Sequence, residues 1–184
     1  MKSRRTTRFL LLLLLLVIPA ASTSLGQAAP SRENQVKAAF IYNFAQFVEW
    51  PDNAFLGNGA PFVIGVLADG GLHAELERTL KGKTAGGREF SVRYFARTSD
   101  ITRCHILFVA ASEQGRAAEV LQKVNHQATL TVGDFDGFTA ASGVVRFLTE
   151  DNKLRFEVNV DAANDEGLRV SSKLLKLARI YSKR

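Results

Sequence analysis

A single cysteine, Cys104, occurs in the 184-residue chain, so no disulfide can close within one molecule. Its apolar neighbours Ile106 to Val109 mark it as a buried thiol rather than a reactive one. Histidine is scarce too. His73, His105 and His126 are dispersed, without the HxH or HxxxH spacing of a metal site. No G-x-S-x-G elbow occurs, and the only glycine-flanked serine, Ser142, reads as a turn before a strand. The acidic residues Asp134, Asp136, Glu150, Asp151, Asp161 and Asp165 mark loops and turns, and nothing in their spacing pairs them for acid–base work. The glycine-rich segment Gly82 to Gly87 (GKTAGG) lacks the upstream glycine of a phosphate loop. It follows a helical pattern and leads into a strand, so it reads as a flexible connection. Enzymatic, metal and cofactor chemistry are therefore not expected.

A long hydrophobic run is also missing. The longest, Phe9 to Ile18, is too short for a membrane span of roughly 20 residues. It follows the basic residues Lys2, Arg4, Arg5 and Arg8 and precedes small residues, with a plausible cleavage signature at Gly26-Gln27-Ala28. That is the layout of a secretory signal peptide over residues 1–28. The formal charge of +6 includes those four basic residues, so only +2 remains beyond them. No basic cluster of the kind that tracks phosphates is left, and nucleic acid is not an expected partner. The exported part, about 155 residues, is the size of one domain with its own core.

Within it, hydrophobic patterning alternates between strand and helix. Pro61 to Ala68, Phe90 to Phe95, Cys104 to Ala111 and Thr129 to Val132 read as strands; Leu72 to Leu80 and Arg116 to Val124 read as helices. Val144 to Thr149 and Leu154 to Val160 form a hairpin about the polar turn Glu150-Asp151-Asn152-Lys153, and a last helix is expected over Ser171 to Tyr181, capped by Ser171 or Ser172. Continuous apolar strands fit a sheet covered on both faces. The expected fold is an α/β single-domain sandwich over residues 33–182. It has a mixed, largely parallel sheet, helices on both faces and a C-terminal β-hairpin plus helix.

Two stretches stand out. Lys37 to Pro51 (KAAFIYNFAQFVEWP) reads as a helix stopped by Pro51. Its apolar side carries Val36, Phe40, Phe44, Phe47 and Trp50, with Tyr42, Gln46 and Glu49 as a narrow polar strip. Such a helix is either buried around most of its circumference or meets something outside its domain. The other is Arg155 to Val160, where Phe156, Val158 and Val160 point one way and Arg155, Glu157 and Asn159 the other. The polar row is the expected solvent face of a half-buried strand and, at a sheet edge, a surface for a partner.

Taken in order, the blocks Gln35 to Pro51, Cys104 to Phe108, Gly143 to Phe147, Lys153 to Val160 and Ser171 to Ala178 resemble the YfiR/HmsC-like family. The resemblance implies a non-enzymatic periplasmic regulator, without cofactor or metal, dimeric and built as an α/β sandwich. It further implies binding to the periplasmic sensor domain of an inner-membrane diguanylate cyclase, restraining cyclic-di-GMP signalling. Some relatives use paired cysteines as redox bridges, a device that Cys104 alone cannot reproduce. On this reading Arg155, Glu157 and Asn159 are expected to contact the partner, and Phe40, Phe47 and Trp50 to serve self-association or partner contact. The alternative is a periplasmic small-ligand-binding module acting with a sensor kinase or outer-membrane receptor; a hydrolase is a distant third.

Overall fold

A computed structural model describes residues 31–57 and 59–182; the expected signal peptide over residues 1–28 lies outside them. The chain opens with α1 (Arg32–Phe47), whose N-terminus is capped by the Ser31 hydroxyl, 3.0 Å from the Asn34 N–H. The helix ends at Phe47 rather than running to Pro51. Val48–Glu49 straightens into a short strand, β1, that pairs antiparallel with β9 (Arg169–Val170). Pro51 limits only Trp50 directly; the earlier exit is set by this long-range pairing, which draws Val48 into the core.

The main sheet contains β2 (Phe62–Leu67), β3 (Thr84–Ala85), β4 (Arg88–Phe95), β5 (Ile106–Val109), β6 (Leu130–Gly133), β7 (Val145–Glu150), β8 (Lys153–Val158) and β10 (Arg179–Ile180). Their spatial order is β10-β8-β7-β6-β5-β2-β4-β3. Pairing is parallel except for the hairpins β7–β8 and β3–β4. From β2 the chain crosses through α2 (Gly70–Leu80) to β4. It then returns past β2 to β5 and crosses through α3 (Ala117–Val124) to β6. Crossovers of one hand in opposite directions put their helices on opposite faces. Accordingly Leu72, Leu76 and Leu80 of α2 share a core with Ile41 and Phe44 of α1. Val120 and Val124 of α3 share another with Leu67, Leu107 and Cys104. This is the mixed, largely parallel α/β sandwich that the strand and helix pattern foretold.

Three local features depart from expectation. The Gly82 to Gly87 segment is no flexible connection: Gly86 and Gly87, at φ 55° and 76°, make the two-residue turn of the β3–β4 hairpin. The strand expected to reach Val160 yields at Asn159, which caps α4 (Val160–Asp165). The C-terminal helix is one turn, α5 (Ser172–Leu175), capped by Ser171 as anticipated. The chain then extends as β10, because the outer edge of β8 has backbone groups to satisfy: Arg179 pairs with Glu157, and the Tyr181 N–H lies 2.8 Å from the Val158 carbonyl.

Candidate functional site

The register of three strands places Arg146 of β7, Glu157 of β8 and Arg179 of β10 side by side. Glu157 sits between two guanidinium groups, with Arg179 Nε at 3.1 Å and Arg146 Nε at 3.4 Å. Both contacts are charge pairs rather than aligned hydrogen bonds. The Thr139 hydroxyl donates to Glu157 Oε1 at 2.6 Å. Outer carboxylates complete the row: Asp136 bonds Arg146 at 2.5 Å and Glu150 bonds Arg179 at 2.9 Å. A carboxylate with only 6 % of its side chain exposed is tolerated because opposite charges and a hydroxyl meet it.

This arrangement changes the reading of the polar row on β8. Arg155 is exposed, but Glu157 and Asn159 are buried. Asn159 Oδ1 caps the Ala162 N–H at 3.0 Å, and its Nδ2 donates to the Thr139 carbonyl at 3.0 Å. Two tertiary features cover the row: β10 occupies the outer edge of β8, and the segment after β6 lies across Glu157 and Asn159 through Thr139. Phe138 anchors that segment. A Cβ on Gly133 would stand 2.6 Å from its ring, and one on Gly143 2.3 Å, so both glycines are required by close approach.

The aromatic residues divide in the same way. Phe40 packs against Phe44, Phe147 and Phe156 at centroid distances of 6.3, 5.9 and 5.3 Å. Trp50 meets Phe62 edge-on at 4.9 Å and donates its indole N–H to the His105 carbonyl at 3.3 Å. Both are half-buried and consumed largely by architecture. Phe47, 38 % exposed, faces solvent at the C-terminal end of α1, where its carbonyl accepts the Ser171 N–H at 3.0 Å ahead of α5.

Lys37, unremarked in the sequence, is almost fully buried on α1. Its Nζ lies 2.7 Å from both Asp134 and Glu33 and 5.6 Å from the Phe108 ring centroid. Burial alone would lower its pKa, but hydrogen bonds to Asp134 and Glu33 outweigh that and raise it above the ordinary lysine value. Lys37, Asp134, Asp136, Arg146, Glu150 and Arg179 line a groove of about 470 Å³. The histidines do not converge there. His105 stacks on both Phe55 and Phe62, and its Nδ1 accepts the Val63 N–H at 2.9 Å. Cys104 is buried, and desolvation pushes its thiol up to about 12. Among the described residues, no His, Cys, Asp and Glu group is placed to hold a metal ion, and no helix is long and apolar enough to cross a membrane.

An open α/β sheet with helices on both faces, whose buried charges at Lys37, Glu75 and Glu157 are paired, defines a class of folded module rather than a chemistry. The chain belongs to the YfiR/HmsC-like family, whose model matches residues 34–179. Searching curated proteins finds no match. Similar solved structures include the ABC domain in complex with L-Trp from Streptococcus pneumonia, at TM-score 0.53 and 10 % identity over 80 % of this chain. Another is a conserved domain protein from Vibrio cholerae, at TM-score 0.51 and 12 % identity over 81 %. The match spans 60 % of each of those chains, and at this identity the likeness concerns the fold alone.

Proposed function

We propose that the protein is a non-enzymatic periplasmic regulator that binds the periplasmic sensor domain of an inner-membrane diguanylate cyclase and restrains it. The observation that carries this reading is the family match over nearly the whole described domain. Export through a cleaved signal peptide at residues 1–28 and a homodimeric state belong to the same proposal. Restraint requires stronger binding to the inactive cyclase than to the active one. A shift from 1:99 to 99:1 needs about 5.5 kcal/mol of preference.

Partner contact is assigned to the six residues singled out in the sequence, in two roles. Arg155 and Phe47 are exposed and make the contact. Glu157, Asn159, Phe40 and Trp50 hold the elements that present them. The test uses the exported protein and the periplasmic sensor domains of the diguanylate cyclases of the same organism. Wild type is expected to bind and to lower cellular cyclic-di-GMP, and Arg155→Glu and Phe47→Ala to weaken both while melting normally. If wild type binds no such domain and its deletion leaves cyclic-di-GMP unchanged, the reading fails.

The second reading, a small-ligand module, is favoured by the groove between Lys37 and Arg179, which offers charges of both signs. A metabolite that raises the melting temperature of wild type, but not of Arg179→Ala, would select it.

A further inference from the structure

The sheet has two unlike edges. At one end β10 closes β8. At the other, β3 pairs only with Arg88 and Glu89 of β4. Among the described residues no strand pairs with the outer side of residues 90–95. An uncovered edge of six residues is long for a protein that stays monomeric, because its unpaired backbone groups template association.

Which groups it offers follows from strand geometry. The N–H and C=O of one residue point to the same side, and successive residues alternate. The Ala68 N–H donates to the Phe95 carbonyl at 3.0 Å, so Phe95 is turned inward. Ser91 and Arg93 are turned with it. Phe90, Val92 and Tyr94 therefore present their backbone donors and acceptors outward, and Arg88, two residues earlier, is bonded outward to Ala85. Beside this edge lies a crevice of about 370 Å³ lined by Leu80, Lys83, Glu89, Phe90 and Val92. Tyr94 is 47 % exposed.

We infer that this edge pairs with the same edge of a second copy, antiparallel about a two-fold axis at Val92. A two-fold pairing must bring some residue opposite itself. Centring on Ser91 would need Glu89, which β3 already covers. Centring on Arg93 would set two guanidinium groups face to face, which is unfavourable directly across a strand pair. Centring on Val92 places Val92 on the partner's Val92, Phe90 on the partner's Tyr94 and Ser91 on the partner's Arg93. Apolar and aromatic pairs then share one face, and the three outward-turned residues each find a backbone donor and acceptor. Of the registers centred on Ser91, Val92 and Arg93, only this one is self-complementary. The dimer that forms is one continuous sheet, and it leaves the β10 end and the exposed Arg155 of β8 free in both copies. The inference rests on the dimeric part of the proposed function and supplies its surface.

The test is analytical ultracentrifugation of the exported protein. Wild type is expected to be dimeric. Val92→Pro removes only an outward N–H, and Tyr94→Glu places a charge against Phe90; each is expected to weaken self-association by roughly 100-fold, equivalent to two factors of 1.4 kcal/mol. Val92→Cys is expected to give an interchain disulfide, since directly opposed residues fall within bridging distance. Mixed Ser91→Cys and Arg93→Cys proteins are expected to cross-link with each other. Should Val92→Pro fail to fold, Tyr94→Glu and the cross-links decide. A monomeric wild type, or a dimer that survives Tyr94→Glu and yields no Val92→Cys disulfide, overturns the inference. Sensor-domain binding by monomeric Tyr94→Glu is measured separately: its persistence with loss of the dimer leaves the regulatory reading standing. Absence of binding by a dimeric wild type removes that reading and leaves the dimer.

Discussion

The Thr139 hydroxyl donates to the Glu157 carboxylate at 2.6 Å, tying the segment after β6 to the middle of β8. Glu157 is thereby the common partner of that segment by hydrogen bond, and of β7 through Arg146 and β10 through Arg179 by charge. Replacing it with alanine removes the Thr139 acceptor and one of the two carboxylates around Arg146, and the expected loss is about 3 kcal/mol, at the low end for a broken buried pair because each arginine keeps an outer carboxylate. Thr139→Val is expected to cost about 1–3 kcal/mol through the lost donor. Arg155→Ala, on the same strand but exposed, stays within about 0.5 kcal/mol. Urea denaturation of the three variants checks the ranking; equal midpoints for Glu157→Ala and wild type would refute it.

His105 makes stability depend on pH. Burial, with the nearby Arg103 and Arg88 charges, lowers its pKa from 6.5; its Nδ1 accepts the Val63 N–H. The unfolded chain keeps the ordinary value, so below it the unfolded state binds more protons than the native one. The contribution is complete above pH 6.5 and is lost as pH falls toward the lowered folded value. His105→Asn retains an acceptor but cannot titrate. Melting curves at pH 7.5 and 5.5 are expected to show wild type losing more stability than this variant on acidification.

Cys104 is expected to be inert in the native protein. With its thiol pushed up to about 12 and its side chain buried beside Gly65, the thiolate is nearly absent at neutral pH. Labelling by a thiol reagent should proceed only as fast as the protein unfolds, and added reductant should leave the melting temperature unchanged. Rapid stoichiometric labelling of folded protein would contradict this.

Gly133 and Gly143 are expected to resist substitution because of Phe138. Gly133→Ala forces a Cβ into the Phe138 ring, and overpacking of this kind typically costs about 1–3 kcal/mol. Combining it with Phe138→Leu should cost less than the sum of the separate changes, a coupling that a double-mutant cycle reads directly. Strict additivity would show that the ring is not what excludes the methyl group.

Much of the frame was legible before the fold was seen. Short apolar runs such as Phe62–Leu67 and Ile106–Val109 can be satisfied only by a doubly covered sheet. The Leu72, Leu76 and Leu80 spacing commits α2 to one face, and Asp151 and Asn152 accept the positive φ of the β7–β8 turn. The misread positions share one cause. Whether β8 is an edge depends on residues 179–181, and whether Glu157 and Asn159 meet solvent depends on Thr139. Neither dependence leaves a trace in local periodicity; the Glu33–Lys37 spacing alone reads as a surface pair, and the burial of Lys37 against Asp134 joins residues 97 apart.

By itself, then, the sequence determined the order and type of most elements, the scarcity of reactive groups and the family resemblance, since propensity and hydrophobic period act over a few neighbouring residues. Only the tertiary structure decided which polar residues are buried, where α1 gives way to β1, and which sheet edge stays open. Those outcomes are set by pairing and charge neutralisation between segments far apart in the chain.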